Sequence, residues 1–296
     1  MSIFKGCATA LVTPFTADGV DYEAYGRLID FQIANDIDAL VVAGTTGEPS
    51  TMTKDEKLEV IRFAIKRINR RVPVIVGTGG NNTSEVILHS QAVEKLGADA
   101  LLIVTPYYNK CTQRGLIAHY TAIAESVSAP IICYNVPGRT GVNILPQTFA
   151  EIAKLKNIVA IKEASGNMEQ ISETIRLSDG LADVISGDDG ITVPIMSVGG
   201  SGVISVASNV APKFMHDMTV AYLNGETTKA GKMQLQILPL VKALFSEVNP
   251  IPVKYGVSLL GFGSNILRLP LMPITDENAA ILKRLMCELN LLKQHK

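Results

Sequence analysis

The feature that most constrains the fold of this 296-residue chain is a set of eight short runs that are continuously apolar. A strand with one face in water alternates apolar and polar residues, whereas a strand buried on both faces of a parallel sheet is apolar throughout. We therefore predict eight parallel strands. They are Gly6–Val12, Asp38–Ala43, Pro73–Gly77, Ala98–Val104, Pro130–Tyr134, Ile158–Lys162, Ala182–Ser186 and Gly202–Val206.

Stretches with helical spacing separate these runs, and several of them carry signals for a helix start. Thr53 is followed three residues later by Glu56, which is a capping pair, and Thr83 or Ser84 opens another helix. Pro146 stands where a first-turn proline is tolerated. Strand and helix in regular alternation predict an α/β fold, a (β/α)8 TIM barrel. The alternative, a doubly wound open sheet, is disfavoured because no GxGxxG motif follows the first strand.

The last part of the chain has helical character without further strands. We predict helices over Thr227–Phe245 and Glu277–Leu292, and no Gly/Ser-rich linker precedes them. The predicted organisation is a catalytic barrel over residues 1–224 with additional C-terminal helices over residues 225–296.

Composition excludes several classes of protein. The chain has 27 Lys and Arg against 28 Asp and Glu, which leaves no cationic surplus for a nucleic-acid surface. No apolar run approaches the roughly 18 residues of a membrane span. We find no secretory signal, no CxxC pair among the four cysteines and no histidine cluster, and so expect a cytoplasmic protein without a metal or cofactor.

Lys162 is the residue that most clearly indicates chemistry. It follows the apolar residues 158–161 without a polar break, so it should emerge from the barrel core at the carboxyl end of a strand, where barrel active sites lie. Burial disfavours the ammonium form and lowers the pKa of a lysine. A neutral amine in such a place forms a Schiff base with a carbonyl compound. We therefore predict an imine-forming enzyme.

The neighbouring strand ends supply groups that imine chemistry requires. Tyr134 is a candidate for proton transfer, and Thr45, Thr46 and Tyr108 offer hydroxyls that relay a proton or bind a carboxylate. The guanidinium of Arg139 suits a substrate carboxylate. The residues alone leave two alternatives open. One is that Tyr134 only packs in the core, and the other is that Arg139 forms a surface ion pair.

Five motifs in their order along the chain resemble the dihydrodipicolinate synthase family. The resemblance runs from about Gly6 to about Thr275. Any one motif is modest evidence, whereas five in the right order are strong. They are Gly44–Glu48, Thr105–Asn109, Tyr134–Gly141, Ile161–Ala164 and Asn249–Lys254.

The resemblance implies a specific reaction in the diaminopimelate pathway of lysine biosynthesis. In this family the lysine that matches Lys162 condenses with pyruvate, and the resulting enamine attacks the aldehyde of L-aspartate 4-semialdehyde. Tyr134, Thr45 and Tyr108 match a proton relay in which the last tyrosine comes from a neighbouring subunit. Members are commonly homotetramers built as dimers of dimers, which is the assembly we expect here.

Further residues match substrate-binding positions of the family. Thr46, Gly187 and Ile204 match the pyruvate site, and Arg139 matches the arginine that binds the semialdehyde carboxylate. The nearest alternatives are N-acetylneuraminate lyases and 2-keto-3-deoxy sugar-acid aldolases, which share the fold and the lysine. They usually lack the arginine, because a sugar tail needs neutral partners.

A departure from the family pattern concerns feedback by lysine. Asn81, Glu85 and Tyr107 are compatible with an effector site, but Lys54 and Lys57 stand where lysine-inhibited members often present histidine or an acid. Like charges repel a cationic effector. We expect weak or absent inhibition, which micromolar inhibition in a steady-state assay would contradict.

Two other classes of function remain as alternatives. A non-catalytic barrel protein would lack the lysine or the relay hydroxyls, and neither is missing. A phosphate-dependent barrel enzyme is suggested by the glycines of Gly199–Gly202 near the last strand, although glycine there also permits a tight turn.

Overall fold

A computed structural model describes residues 2–292 and contains a closed barrel of parallel strands, in which each strand pairs with the next and β8 pairs with β1. The eight predicted strands are confirmed, with ends that differ by two residues or fewer, and the doubly wound alternative is wrong. The strands are β1 (Gly6–Ala10), β2 (Ala39–Val42), β3 (Val74–Gly77), β4 (Ala100–Val104), β5 (Ile131–Asn135), β6 (Ile158–Glu163), β7 (Asp183–Ser186) and β8 (Gly202–Ser205).

Helices follow the strands and continue beyond β8. Within residues 2–292 they are α1 (Tyr22–Ala34), α2 (Lys54–Ile68), α3 (Thr83–Lys95), α4 (Gln113–Ser126), α5 (Pro137–Thr140), α6 (Pro146–Ile152), α7 (Met168–Ser178), α8 (Thr192–Ser197), α9 (Pro212–Leu223), α10 (Thr227–Leu244), α11 (Ile251–Leu259) and α12 (Asp276–Glu288). None of them is long and apolar enough to cross a membrane.

The predicted helix starts are largely confirmed. The hydroxyl of Thr53 accepts from the backbone N–H of Glu56 at 3.2 Å and caps α2, and Pro146 lies in the first turn of α6. Helix α3 begins at Thr83, as predicted, and its cap is the preceding residue. Asn82 supplies it, because its side-chain oxygen accepts from the N–H of Ser84 at 3.1 Å. An Asn cap leaves Thr83 free to begin the helix itself.

The strands are apolar throughout because their alternate residues face two different cores. In β5, Ile132 and Tyr134 point into the barrel, whereas Ile131 and Cys133 pack against the surrounding helices. The same alternation applied to β6 puts Lys162 inside the barrel. Strand order and side-chain alternation therefore fix which polar residues reach the barrel mouth.

Glycines near β8 serve the closure of the barrel. A Cβ atom on Gly202 would lie 2.0 Å from the carbonyl oxygen of Gly6, and one on Gly200 would lie 2.9 Å from the carbonyl oxygen of Ile195. At Gly202 strand β1 comes too close for a side chain, and at Gly200 the backbone of α8 does. Packing thus accounts for these two glycines of the Gly199–Gly202 segment without a phosphate ligand.

The C-terminal helices pack on the barrel and on one another. The chain turns between α9 and α10 at residues 224–226, which is where the predicted barrel segment ends, although the division itself stays a prediction. Helix α10 covers the predicted range Thr227–Phe245 to within one residue, and α12 ends four residues before the predicted Leu292. Residues 293–296 of the predicted extension lie outside the described residues.

Candidate active site

A cavity of about 430 Å³ opens at the carboxyl ends of the strands. Much of its wall is built from the last residues of β5 and β6 and from the residues that follow β2, β5, β6 and β7, which is where barrel enzymes have their active sites. Sequence reasoning predicted several of the lining residues. Those that the structure brings together here are Thr45, Thr46, Tyr134, Arg139, Lys162 and Gly187.

Lys162 lies near the base of this cavity with only 6% of its surface exposed. Burial lowers the pKa of its ammonium to about 8, while the carboxylate of Asp189 opposes that shift and Arg139 adds to it. Its Nζ lies 4.4 Å from the centre of the Tyr134 ring. The amine is therefore in a dry position and neutral more often than an exposed lysine, which suits a nucleophile.

Tyr134 is the neighbour of Lys162 on the adjacent strand, because the two residues are register partners of β5 and β6. Burial raises the pKa of its hydroxyl, whereas Arg139 and the Thr45 hydroxyl act to lower it. The hydroxyl is thus protonated at neutral pH and lies beside a cation. Such a group can donate a proton to a leaving water and recover it later.

Thr45 and Thr46 lie on a short 3-10 turn, residues 45–47, that follows β2. The turn ends at Glu48, whose φ of 55° and ψ of 41° place it in the left-handed region. The Thr46 hydroxyl accepts from the side-chain amide of Asn249 at 3.0 Å. Its own O–H proton is consequently left for a ligand.

Arg139 lies on the short helix α5 and points into the cavity. Its Nη2 donates to the carbonyl oxygen of Asn249 at 2.9 Å, and among the described residues it forms no ion pair. The surface ion pair considered from sequence is therefore wrong. The other donors of the guanidinium remain for a carboxylate in the cavity.

Gly187 and Ile204 have different roles around Lys162. A Cβ atom on Gly187 would lie 3.0 Å from Cε of Lys162 and 2.8 Å from Cβ of Ala164, so a side chain there would displace the lysine. Ile204 is buried in the barrel core and does not line the cavity. It supports the cavity from below.

The structure does not bring Tyr108 into the cavity of its own chain. Its side chain is 91% exposed and its φ is 70°, a strained value for a tyrosine. The side chain therefore projects outward from the loop after β4. Its part in a relay stays a prediction.

A separate cavity of about 390 Å³ contains the three predicted effector residues, Asn81, Glu85 and Tyr107. Lys54 and Lys57 line the same cavity. Nζ of Lys54 lies 2.5 Å from Oε2 of Glu85, so the carboxylate that would receive a cationic effector already has a partner. Whether lysine inhibits stays a prediction.

Sequence reasoning missed the wall that the C-terminal helices contribute. Helix α10 lines the cavity with Leu238, Val241, Lys242 and, just after its end, Phe245. The sequence predicted this helix, but which strand ends it covers depends on how the extension packs.

A buried ion pair was also missed. Nζ of Lys254, on α11, lies 2.5 Å from Oε1 of Glu48, and the two side chains are 2% and 1% exposed. Both belong to motifs quoted for the resemblance, and Lys254 follows the apolar residues 251–253 as Lys162 follows its own run. That signal could have identified it.

No metal site is evident in the described part of the chain. Within residues 2–292, no three His, Cys, Asp or Glu side chains lie close enough together to hold a metal ion. The amine, hydroxyl and guanidinium groups of the cavity are suited to binding and proton transfer.

Comparison with known proteins gives consistent results. Residues 3–289 match the dihydrodipicolinate synthetase family. The 4-hydroxy-tetrahydrodipicolinate synthase of Caldicellulosiruptor bescii is 54% identical over 285 residues, which is 96% of each protein. The crystal structure of dihydrodipicolinate synthase from Thermotoga maritima is 45% identical, with a TM-score of 0.97 over 98% of this chain and 100% of that one. A structure described as the first monomeric dihydrodipicolinate synthase variant is also 45% identical, with a TM-score of 0.96 over 98% of each chain.

Proposed function

The chain belongs to the dihydrodipicolinate synthetase family, and on that premise we infer that it is a lyase that condenses pyruvate with L-aspartate 4-semialdehyde. The product is 4-hydroxy-tetrahydrodipicolinate, on the route to diaminopimelate and lysine. The observation that carries this function is the buried amine of Lys162 between a protonated tyrosine and an arginine in one cavity.

The first half of the reaction forms an imine with pyruvate. The neutral amine of Lys162 adds to the keto carbon, and the carbinolamine loses water when Tyr134 supplies a proton. Removal of a proton from the methyl carbon then gives the enamine. The hydroxyl of Thr46, held as a donor by Asn249, is placed to bind the pyruvate carboxylate.

The second half joins the enamine to the semialdehyde. The enamine carbon attacks the aldehyde carbon, and the aldehyde oxygen takes up a proton. The ammonium of the adduct loses a proton, and the neutral amine then attacks the imine carbon and closes the ring. The bond from that carbon to Lys162 breaks as the lysine nitrogen takes up a proton. Arg139 holds the semialdehyde carboxylate during these steps, as a planar guanidinium with free donors does well.

We propose a homotetramer built as a dimer of dimers, in which Tyr108 enters the cavity of a neighbouring subunit. The exposed position of Tyr108 supports this, because its side chain does not line the active-site cavity of its own chain. We also propose a cytoplasmic location, which the four free thiols support and cell fractionation would check.

The experiment that tests the function is a coupled assay with pyruvate and aspartate semialdehyde, set against cleavage of N-acetylneuraminate. Borohydride reduction in the presence of pyruvate should add mass at Lys162 and nowhere else. Absence of the adduct, or turnover of the sugar acid instead, would refute the proposed function.

The Arg139→Ala variant tests how the substrates are divided within the cavity. We expect the KM for aspartate semialdehyde to rise about tenfold or more, because a charge-assisted hydrogen bond is lost, while the KM for pyruvate changes little. Arg139→Lys keeps the charge but not the planar guanidinium, so its KM for aspartate semialdehyde should lie between the values for wild type and Arg139→Ala. An equal loss for both substrates would contradict the assignment.

A further inference from the structure

We propose that Asp188 binds the ammonium group of the second substrate and thereby selects an aldehyde that carries an amino group. This inference rests on the proposed function and deepens it. Aspartate semialdehyde carries a carboxylate and an ammonium on one carbon, and the groups assigned so far account only for the carboxylate.

The charges that line the cavity support the proposal. Among the described lining residues the cations are Arg139, Lys162 and Lys242, and Asp188 is the only acid. Pyruvate is an anion and aspartate semialdehyde a zwitterion, so the two substrates together bring two carboxylates and one ammonium. The ammonium must either remain solvated in a mainly cationic cavity or find this carboxylate, and a direct charge-assisted contact is the stronger interaction.

The position of Asp188 places it beside the reacting bond. It directly follows Gly187, whose Cα packs so closely on Lys162 that an added Cβ would lie 3.0 Å from the lysine Cε. Strand β6 pairs with β5 on one side and β7 on the other, so Lys162 lies between Arg139, which follows β5, and Asp188, which follows β7. An amino acid held by both side chains therefore keeps its amino group near the imine that this group must attack to close the ring.

One oxygen of the Asp188 carboxylate is fixed by a hydrogen bond, and the other is available to a ligand. Its Oδ1 accepts from the N–H of Gly190 at 2.8 Å, whereas Oδ2 has no hydrogen-bond partner among residues 2–292. The next residue, Asp189, is different. It is fully buried, and its Oδ2 accepts from the backbone N–H groups of Val206 and Ala207 at 2.9 and 3.0 Å. Oδ1 of Asp189 has no hydrogen-bond partner among residues 2–292, but Asp189 does not line the cavity, so the carboxylate oxygen available to a ligand there is Oδ2 of Asp188.

Asp188→Asn removes the charge that would bind the ammonium but keeps the hydrogen bond to Gly190, because the amide oxygen still accepts from the Gly190 N–H. We expect the KM for aspartate semialdehyde to rise about 10- to 100-fold, with the KM for pyruvate unchanged. Succinic semialdehyde is the same aldehyde without the amino group, so its inhibition constant should not change. The matched control is Asp183→Asn, at the opposite end of the same strand, which should leave all three constants unchanged.

Two outcomes for the variant would overturn the proposal. One is a KM for aspartate semialdehyde within twofold of wild type, and the other is an equal rise in the inhibition constant of succinic semialdehyde.

Should the variant fail to fold, the wild-type enzyme gives the answer, because it should bind aspartate semialdehyde at least tenfold more tightly than the des-amino analogue. Similar affinities would overturn the proposal while the condensation activity stands. A wild-type enzyme that does not turn over aspartate semialdehyde would refute the proposed function itself, and this inference with it.

Discussion

At the scale of single residues, reactivity at Lys162 is a consequence of where one strand ends. The side chain points into the barrel because inward and outward positions alternate along β6, and the surrounding residues leave only 6% of it exposed. Nothing in the residue itself differs from the other lysines. Its chemistry is set by the cost of keeping a charge away from water.

The first prediction concerns the pH dependence of imine formation. With a pKa of about 8, roughly a tenth of the Lys162 amine is neutral at pH 7, compared with less than a thousandth for an ordinary lysine. Burial favours the neutral form, so the proton is lost at lower pH. The rate of pyruvate capture, measured by borohydride quenching, should rise about tenfold per pH unit below 8 and level off above it.

The Arg139→Ala variant provides the control for this profile. The guanidinium of Arg139 helps to lower the pKa of Lys162, so the bend in the profile should move to higher pH in this variant. A rate independent of pH between 6 and 9 would contradict a buried titrating amine.

Single residues also show the limit of what the sequence predicts. Lys162 could be identified because an uninterrupted apolar run leads to it, Tyr134 because it ends a predicted strand, and Arg139 because it lies in the loop after that strand. Asn249 could not, since its contacts with Thr46 and Arg139 join residues 203 and 110 positions apart. Such contacts depend on tertiary packing, which local patterns do not contain.

At the scale of elements, the alternation of strands and helices was predictable, whereas the attachment of the C-terminal helices was not. The sequence predicted α10 and α12 but not α11, and the contacts that α10 and α11 make at the barrel mouth come from specific side chains. The pair formed by Glu48 and Lys254 is the main one, because it joins α11 to the loop that carries Thr45 and Thr46.

The second prediction concerns this pair. Glu48→Gln leaves the ammonium of Lys254 buried without a charged partner, which should lower the free energy of unfolding by about 3–5 kcal/mol. The double variant Glu48→Gln/Lys254→Met should lose clearly less, because no buried charge remains. Urea unfolding of the single and double variants measures both values. A double variant as unstable as the sum of the two single variants would show that the charges do not interact.

At the scale of the whole molecule, the cavity of one subunit contains all of the predicted catalytic groups except one. The cavity holds an amine, a tyrosine, two threonines and an arginine, whereas Tyr108 extends into solvent. The sequence showed the tyrosine but not its direction, since the direction depends on a left-handed backbone residue in a loop.

The third prediction tests whether Tyr108 acts in a neighbouring subunit. Lys162→Ala and Tyr108→Ala should each abolish or strongly reduce activity when purified alone. Refolding them together gives mixed dimers in which one site has both Lys162 and a partner's intact tyrosine. About a quarter of wild-type activity should return, because about half of the dimers are mixed and each has one complete site.

The outcome depends only on which chain supplies the tyrosine. If Tyr108 served its own subunit, no site in a mixed dimer would be complete, and activity would not return. Size-exclusion chromatography of each variant establishes beforehand that both still assemble.

Because α10 contributes part of the cavity wall, bond formation and contact with the incoming aldehyde involve different parts of the chain. Bond making resides on the strands, whereas part of the boundary that an incoming aldehyde meets is carried by a helix appended after the ring is already complete. Substitutions in that helix can therefore change which aldehydes are accepted, while the residues that form the carbon–carbon bond stay the same.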